Sequence, residues 1–133
     1  MERAKPLRIL VIDDDPDLLA LCRINLAVDG HDVEEASSGR EGLELIASYR
    51  PDVVLLDVMM PTLSGLDVLR MIRDGASTRD LPVVIVSARA GIEDQIAGRN
   101  AGADAYITKP FSPERLIDVL KQACEARGVL DPD

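Results

Sequence analysis

Val53-Val54-Leu55-Leu56-Asp57 is a wholly apolar run closed by a carboxylate, and Ile9-Leu10-Val11-Ile12 is a second such run closed by Asp13-Asp14-Asp15. Short aliphatic runs rich in β-branched residues read as strands buried on both faces, the hallmark of a parallel sheet covered by helices. Such sheets keep their chemistry at the carboxyl ends of the strands. Carboxylates gathered there repel one another unless a cation sits among them, which calls for a hard divalent metal, Mg²⁺ foremost.

Outward from these two runs, apolar segments alternate with helix-period segments, the pattern of a doubly wound α/β sheet. The strands are expected at Leu7 to Ile12, His31 to Ala36, Val53 to Leu56, Val83 to Val86 and Ala105 to Ile107. The second is a weak edge strand, interrupted by Asp32, Glu34 and Glu35. Helices are expected from Pro16 to Val28 with Asp15 as N-cap, from Gly39 to Ser48, from Ser64 to Arg73 and from Ile92 to Ala101. A fifth is capped at Ser112-Pro113 and stopped by Gly128. Gly91 and Gly98 should make the fourth helix the least stable. One domain is expected over residues 1–128, with 129–133 a frayed tail or a linker stub.

In the first helix Leu18, Leu21, Cys22 and Leu26 form the expected core face, while Leu19, Ala20, Ile24 and Ala27 add apolar surface. That excess either docks a partner helix or marks a helix wide on its buried side.

At 133 residues and 47% hydrophobic but only 2% aromatic, the chain can bury one aliphatic core. A net charge of -9 argues against direct nucleic-acid binding. No apolar stretch approaches the roughly 20 residues of a membrane span. Met1 to Pro6 opens no apolar secretory segment, so the cytoplasm is the expected compartment. Cys22 and Cys124 lack any metal-ligand spacing and are expected as reduced, half-buried thiols; His31, with no companion, is expected on the surface.

Four strand ends carry a polar or charged group: Asp13-Asp14, Asp57, Ser87 and Lys109. Right-handed crossovers bring all of them to one edge. There Asp14 and Asp57 would ligate Mg²⁺, with Asp13 reaching it through water. Asp57 would attack a phosphoryl group, while Ser87 and Lys109 would hold its oxygens.

The segments Ile9 to Pro16, Leu56-Asp57-Val58-Met59-Met60-Pro61 with Ser64-Gly65, Val86-Ser87-Ala88, and Ala101 to Tyr106 continuing through Thr108-Lys109-Pro110-Phe111 resemble the receiver domains of two-component response regulators, the CheY-like family. The resemblance implies a flavodoxin-like sheet of order 2-1-3-4-5 with five helices. It further implies phosphoryl transfer to Asp57 from a phosphohistidine of a histidine kinase or histidine phosphotransfer protein, with the backbone carbonyl of Met59 completing the metal site. Ser87 and Tyr106 would form a switch signalling to a downstream protein target, and the Lys109-Pro110 bond would be cis. Such a chain catalyses only its own phosphorylation and dephosphorylation, either alone or as the input domain of a larger regulator or hybrid kinase. Met59 and Arg89 would flank the path of a hydrolytic water, and an apolar Met59 predicts a phosphoryl lifetime of minutes or longer. A haloacid-dehalogenase-type phosphatase would need a second aspartate where Met59 stands. A flavodoxin-like carrier would place a phosphate loop where Asp13-Asp14-Asp15 repel it.

Overall fold

The computed structural model describes residues 6–130. Most of the opening stretch read for a secretory segment, and residues 131–133 of the expected tail, lie outside them. Five parallel strands, β1 (Arg8–Ile12), β2 (Asp32–Ala36), β3 (Val53–Leu56), β4 (Val83–Ser87) and β5 (Ala105–Thr108), form one sheet in the order β2-β1-β3-β4-β5. Between and after them run α1 (Pro16–Val28), α2 (Gly39–Tyr49), α3 (Gly65–Asp74), α4 (Ile92–Asn100) and α5 (Pro113–Ala126). The expected order and element sequence both hold.

Alternation along the strands divides the core in two. Ile9, Val11, Val53, Leu55, Val84, Val86 and Ile107 face α1 and α5; Leu10, Ile12, Val54, Leu56, Val83 and Ile85 face the other side, with Val68, Leu69 and Ile72 of α3 and Ile46 of α2. Both faces are covered, as the unbroken apolar runs require. Four helices start on side-chain caps, from Asp15, Ser38, Ser64 and Ser112. The helix α4 starts at Gly91 with no side-chain cap and buries only Gly98. Its glycine allows close approach: a Cβ there would stand 2.8 Å from Ile85 Cδ1 and 3.1 Å from Tyr106 Cδ2.

Three expectations are corrected. In α1 the buried set is Leu18, Leu19, Cys22 and Leu26, while Leu21 is exposed. At about 100° per residue, Cys22 and Leu26 point between Leu18 and Leu19, and Leu21 falls outside that arc. His31 is buried, not superficial: its Nδ1 accepts from the Leu7 amide at 3.0 Å and its Nε2 meets Asp29 Oδ2 at 2.8 Å. The imidazole thus ties the turn after α1 to the start of β1. Both cysteines are fully buried and outside any disulfide, Cys22 in α1 and Cys124 in α5. At the far end of α5 the Val129 amide donates to Cys124 O at 2.8 Å, and Val129 and Leu130 pack partly against the core.

Candidate functional site: an acidic cluster at the sheet switch point

Register assembles the site. Ile12 of β1 pairs with Leu56 of β3, so the next residues, Asp13 and Asp57, emerge side by side where the strand order reverses. Backbone bonds continue past the strands: Asp13 N donates to Ala36 O, and Asp57 N to Ile12 O, each at 3.0 Å. Both aspartates are buried, at 1% and 6% exposure, whereas Asp14 is exposed. One carboxylate oxygen from each of Asp13, Asp14 and Asp57 lies within 4.8 Å of the others.

Each buried carboxylate is anchored by a local amide. Asp13 Oδ1 accepts from Asp15 N at 2.9 Å, and Asp57 Oδ1 from Met59 N at 3.0 Å. Their other oxygens face Lys109, whose Nζ stands 3.0 Å from Asp13 Oδ2 and 3.6 Å from Asp57 Oδ2. Burial pushes the Asp13 carboxyl above its ordinary value; the Asp15 amide and Lys109 pull against it, and the Asp57 charge adds to the rise. Burial works against the Lys109 ammonium too, but its bond to Asp13 and the charges of Asp13 and Asp57 outweigh that and raise it. One cation therefore faces three acidic side chains.

The donor set fits a hard divalent cation. Its ligands are carboxylate oxygens, and exposed Asp14 leaves a side open to the water that such ions retain. A cation there would also oppose the desolvation of Asp13.

Ser87 and Lys109 arrive from the neighbouring strands. Ser87 pairs with Thr108, and Lys109 N donates to Ser87 O at 2.8 Å, so the two lie on adjoining strand ends. The Lys109–Pro110 bond is cis. Ser87 is fully buried, and its Oγ accepts from Arg89 N at 3.1 Å; the Tyr106 hydroxyl donates to Arg89 O at 2.7 Å. The backbone of Arg89 thus joins the two residues expected to form a switch, a link invisible in sequence because it is made by main-chain atoms. The Arg89 guanidinium lies 3.7 Å from Asp94 of α4. Together with Met59 and Tyr106 they line a cleft of about 440 Å³ between the loop after β3 and α4.

Gly65, which the sequence offers only as part of a matching segment, is a positioning residue. A Cβ there would stand 2.1 Å from Asp57 O and 2.6 Å from Val58 Cα, so only glycine lets α3 begin against the backbone of Asp57. Its signal is a glycine opening a helix directly after the Ser64 cap. Thr62, in the same loop, takes φ 70, a left-handed conformation unusual for a β-branched residue.

A family model described as the response regulator receiver domain matches residues 9–121. A response regulator, MprA, of Mycolicibacterium vanbaalenii is 49% identical over 112 residues, which cover 84% of this chain and 48% of that protein. The chain therefore spans about half the length of the curated relatives it matches. Among solved structures, a putative response regulator from Chloroflexus aurantiacus superposes with a TM-score of 0.86 at 33% identity, covering 90% of this chain and 98% of that one. The chemotaxis protein CheY4 of Vibrio cholerae gives a TM-score of 0.84 at 28% identity, covering 90% and 99%.

Proposed function

The chain belongs to the response regulator receiver domain family of two-component signalling, and from that premise we propose that Asp57 accepts a phosphoryl group from a partner's phosphohistidine in a Mg²⁺-dependent reaction. The observation that carries this reading is the convergence of Asp13, Asp14 and Asp57 within 4.8 Å, with Lys109 closing the cluster. An Asp57 oxygen bonds to phosphorus as the phosphorus–nitrogen bond to the donor breaks, and the imidazole leaves with the electron pair. Asp13, Asp14, Asp57 and the Met59 carbonyl would hold Mg²⁺, which would supply charge neutralisation for the transferring group. Lys109 pairs with a second phosphoryl oxygen. The buried Ser87 hydroxyl leaves the Arg89 amide for a third, and the Arg89 peptide carries that movement to Tyr106. The chain acts as a switch that phosphorylates itself, not as an enzyme acting on other substrates.

The donor docks on α1. Leu21, Ile24 and Val28 form an exposed apolar stripe at helical spacing, turned away from the buried face. A histidine-bearing helix of a kinase or phosphotransfer protein would lie along it. No helix among the described residues is long and apolar enough to cross a membrane. Output passes through protein contacts at α4 and β5, where Ile92 and Ile96 are exposed. The 48% coverage of MprA favours a receiver that serves as the input domain of a longer regulator.

Incubation of wild type and Asp57→Asn with Mg²⁺ and acetyl phosphate, read by intact mass, tests the nucleophile. Wild type gains one phosphoryl group and the variant none; incorporation in both rejects Asp57. Ile24→Glu should slow transfer from a phosphorylated kinase yet leave acetyl phosphate labelling unchanged. Equal rates with both donors would reject docking on α1.

A further inference from the structure

At the opposite end of the sheet from Asp57 lies a groove of about 550 Å³ between the C-terminal turns of α2 and α3. Pro51 and Leu81, which line it, lead into β3 and β4, whereas Asp57 and Ser87 lie at the far ends of those strands. Its volume falls within the roughly 300–1,000 Å³ of small-molecule sites. Ile46, Met71 and Leu81 give it an apolar floor and wall, Met71 being half exposed without a partner to cover it. Among the described residues no carboxylate lines it.

The polar side chains that line it are those of Arg50, Ser77 and Thr78. Arg50 has neither an ion pair nor a side-chain hydrogen bond among the described residues, although the chain carries a net charge of -9. Nearby Arg8, by contrast, is engaged by Tyr49 O and stacks over the Tyr49 ring. Arg50 also holds the position after α2 in a left-handed conformation, φ 55 and ψ 66, where glycine is the ordinary choice. An arginine kept there, strained and unpaired, points to a use for its guanidinium. The Thr78 hydroxyl is committed to Ile72 O at 2.6 Å, while the Ser77 hydroxyl is uncommitted among the described residues.

We propose that this groove binds a small amphipathic carboxylate, its aliphatic chain on Ile46, Met71 and Leu81 and its head group paired with Arg50 and Ser77. One guanidinium fork and one hydroxyl match a carboxylate, whose two oxygens accept bidentate pairing. A phosphate dianion would leave charge unmatched. The site is separate from the phosphoryl-accepting one and does not depend on its chemistry.

Octanoate and octylammonium share a chain and differ in head-group charge. Each is titrated into the full chain and followed by methyl and amide chemical shifts. Octanoate should saturate, with shifts centred on Ile46, Met71 and Leu81, and octylammonium should not, despite the attraction of an acidic protein for a cation. Arg50→Gly suits the left-handed backbone, so it should keep the melting temperature while weakening octanoate roughly tenfold, the loss expected for one charge-assisted pair. Unsaturable or scattered shifts, equal binding of both amphiphiles, or unchanged octanoate affinity in a folded Arg50→Gly would each overturn the site. So would shifts at these residues that track protein concentration alone, which would assign the groove to a second copy of the chain.

Discussion

Lys109 Nζ lies 3.0 Å from Asp13 Oδ2, closing a contact across 96 positions of sequence. The ammonium is one positive charge beside two buried carboxylates and a third exposed one, so it moderates their repulsion without cancelling it. Asp13 shows the remainder: despite its partner, burial leaves its carboxyl above the ordinary value. A carboxyl raised on folding is a liability at neutral pH, since the folded state there holds the charge less readily than the unfolded chain. Asp13→Asn should therefore raise the melting temperature in metal-free buffer. Adding Mg²⁺ should stabilise wild type and do far less for the variant. A lower melting temperature in the metal-free variant, or equal Mg²⁺ stabilisation of both, would contradict this account.

Cys22 provides a pH test away from the cluster. Burial, reinforced by the Asp13 charge, pushes its thiol up from 9.0 to about 12. Between those values the unfolded chain has released the proton and the folded one has kept it, so unfolding is favoured as pH rises. Stability should fall through this window by a few kcal/mol, and Cys22→Ala should flatten the fall. A residual slope should remain, because burial and the hydrogen bond to Asp32 also push the Tyr49 phenol up, and the raised Lys109 ammonium contributes stability that is lost as pH rises through its folded value. Denaturant unfolding at a series of alkaline pH values reads both, and parallel curves for wild type and Cys22→Ala would refute the assignment.

Gly65 sets the distance between α3 and the Asp57 backbone. An added methyl would meet main-chain atoms, Asp57 O at 2.1 Å and Val58 Cα at 2.6 Å, which cannot move aside as a flexible side chain would. Gly65→Ala should cost about 1–3 kcal/mol of stability. It should also slow acetyl phosphate labelling under conditions where the variant is fully folded. Unaltered labelling in that folded variant would show that Asp57 tolerates displacement of its own peptide.

Parts of the chain differ in how far their structure is legible in the sequence. The strands are legible, because runs such as Val53 to Leu56 are buried on both faces and carry no ambiguity of side. The convergence of Asp13, Asp57, Ser87 and Lys109 at one edge followed from parallel connectivity alone. Leu19 and Leu21 exchanged places because both flank the arc set by Leu18, Cys22 and Leu26, and apolar character cannot tell which side the sheet will cover. His31 misled for a different reason: a lone imidazole is usually solvated, and only the fold reveals that the Leu7 amide needs its Nδ1. The Arg89 peptide bridge between Ser87 and Tyr106 was out of reach, since main-chain bonds between distant loops leave no residue signature.

Met59 decides how long a phosphoryl group on Asp57 should last. Its side chain is 48% exposed beside the cluster, while its amide is fixed to Asp57 Oδ1. A thioether is a weak acceptor and no donor, so it cannot orient a water for attack. The other flanking group, the Arg89 guanidinium, lies near Asp94 on α4, which draws it toward the helix. Hydrolysis then proceeds with little help from either side, and the phosphorylated form should persist for minutes or longer. Met59→Asn supplies a donor and an acceptor at the same place, and one well-placed hydrogen bond of about 1.4 kcal/mol in the transition state gives roughly tenfold faster decay. Loss of the phosphorylated mass after removal of acetyl phosphate measures both rates. Wild-type decay within seconds, or an Asn variant no faster than wild type, would show that water is oriented by some other group.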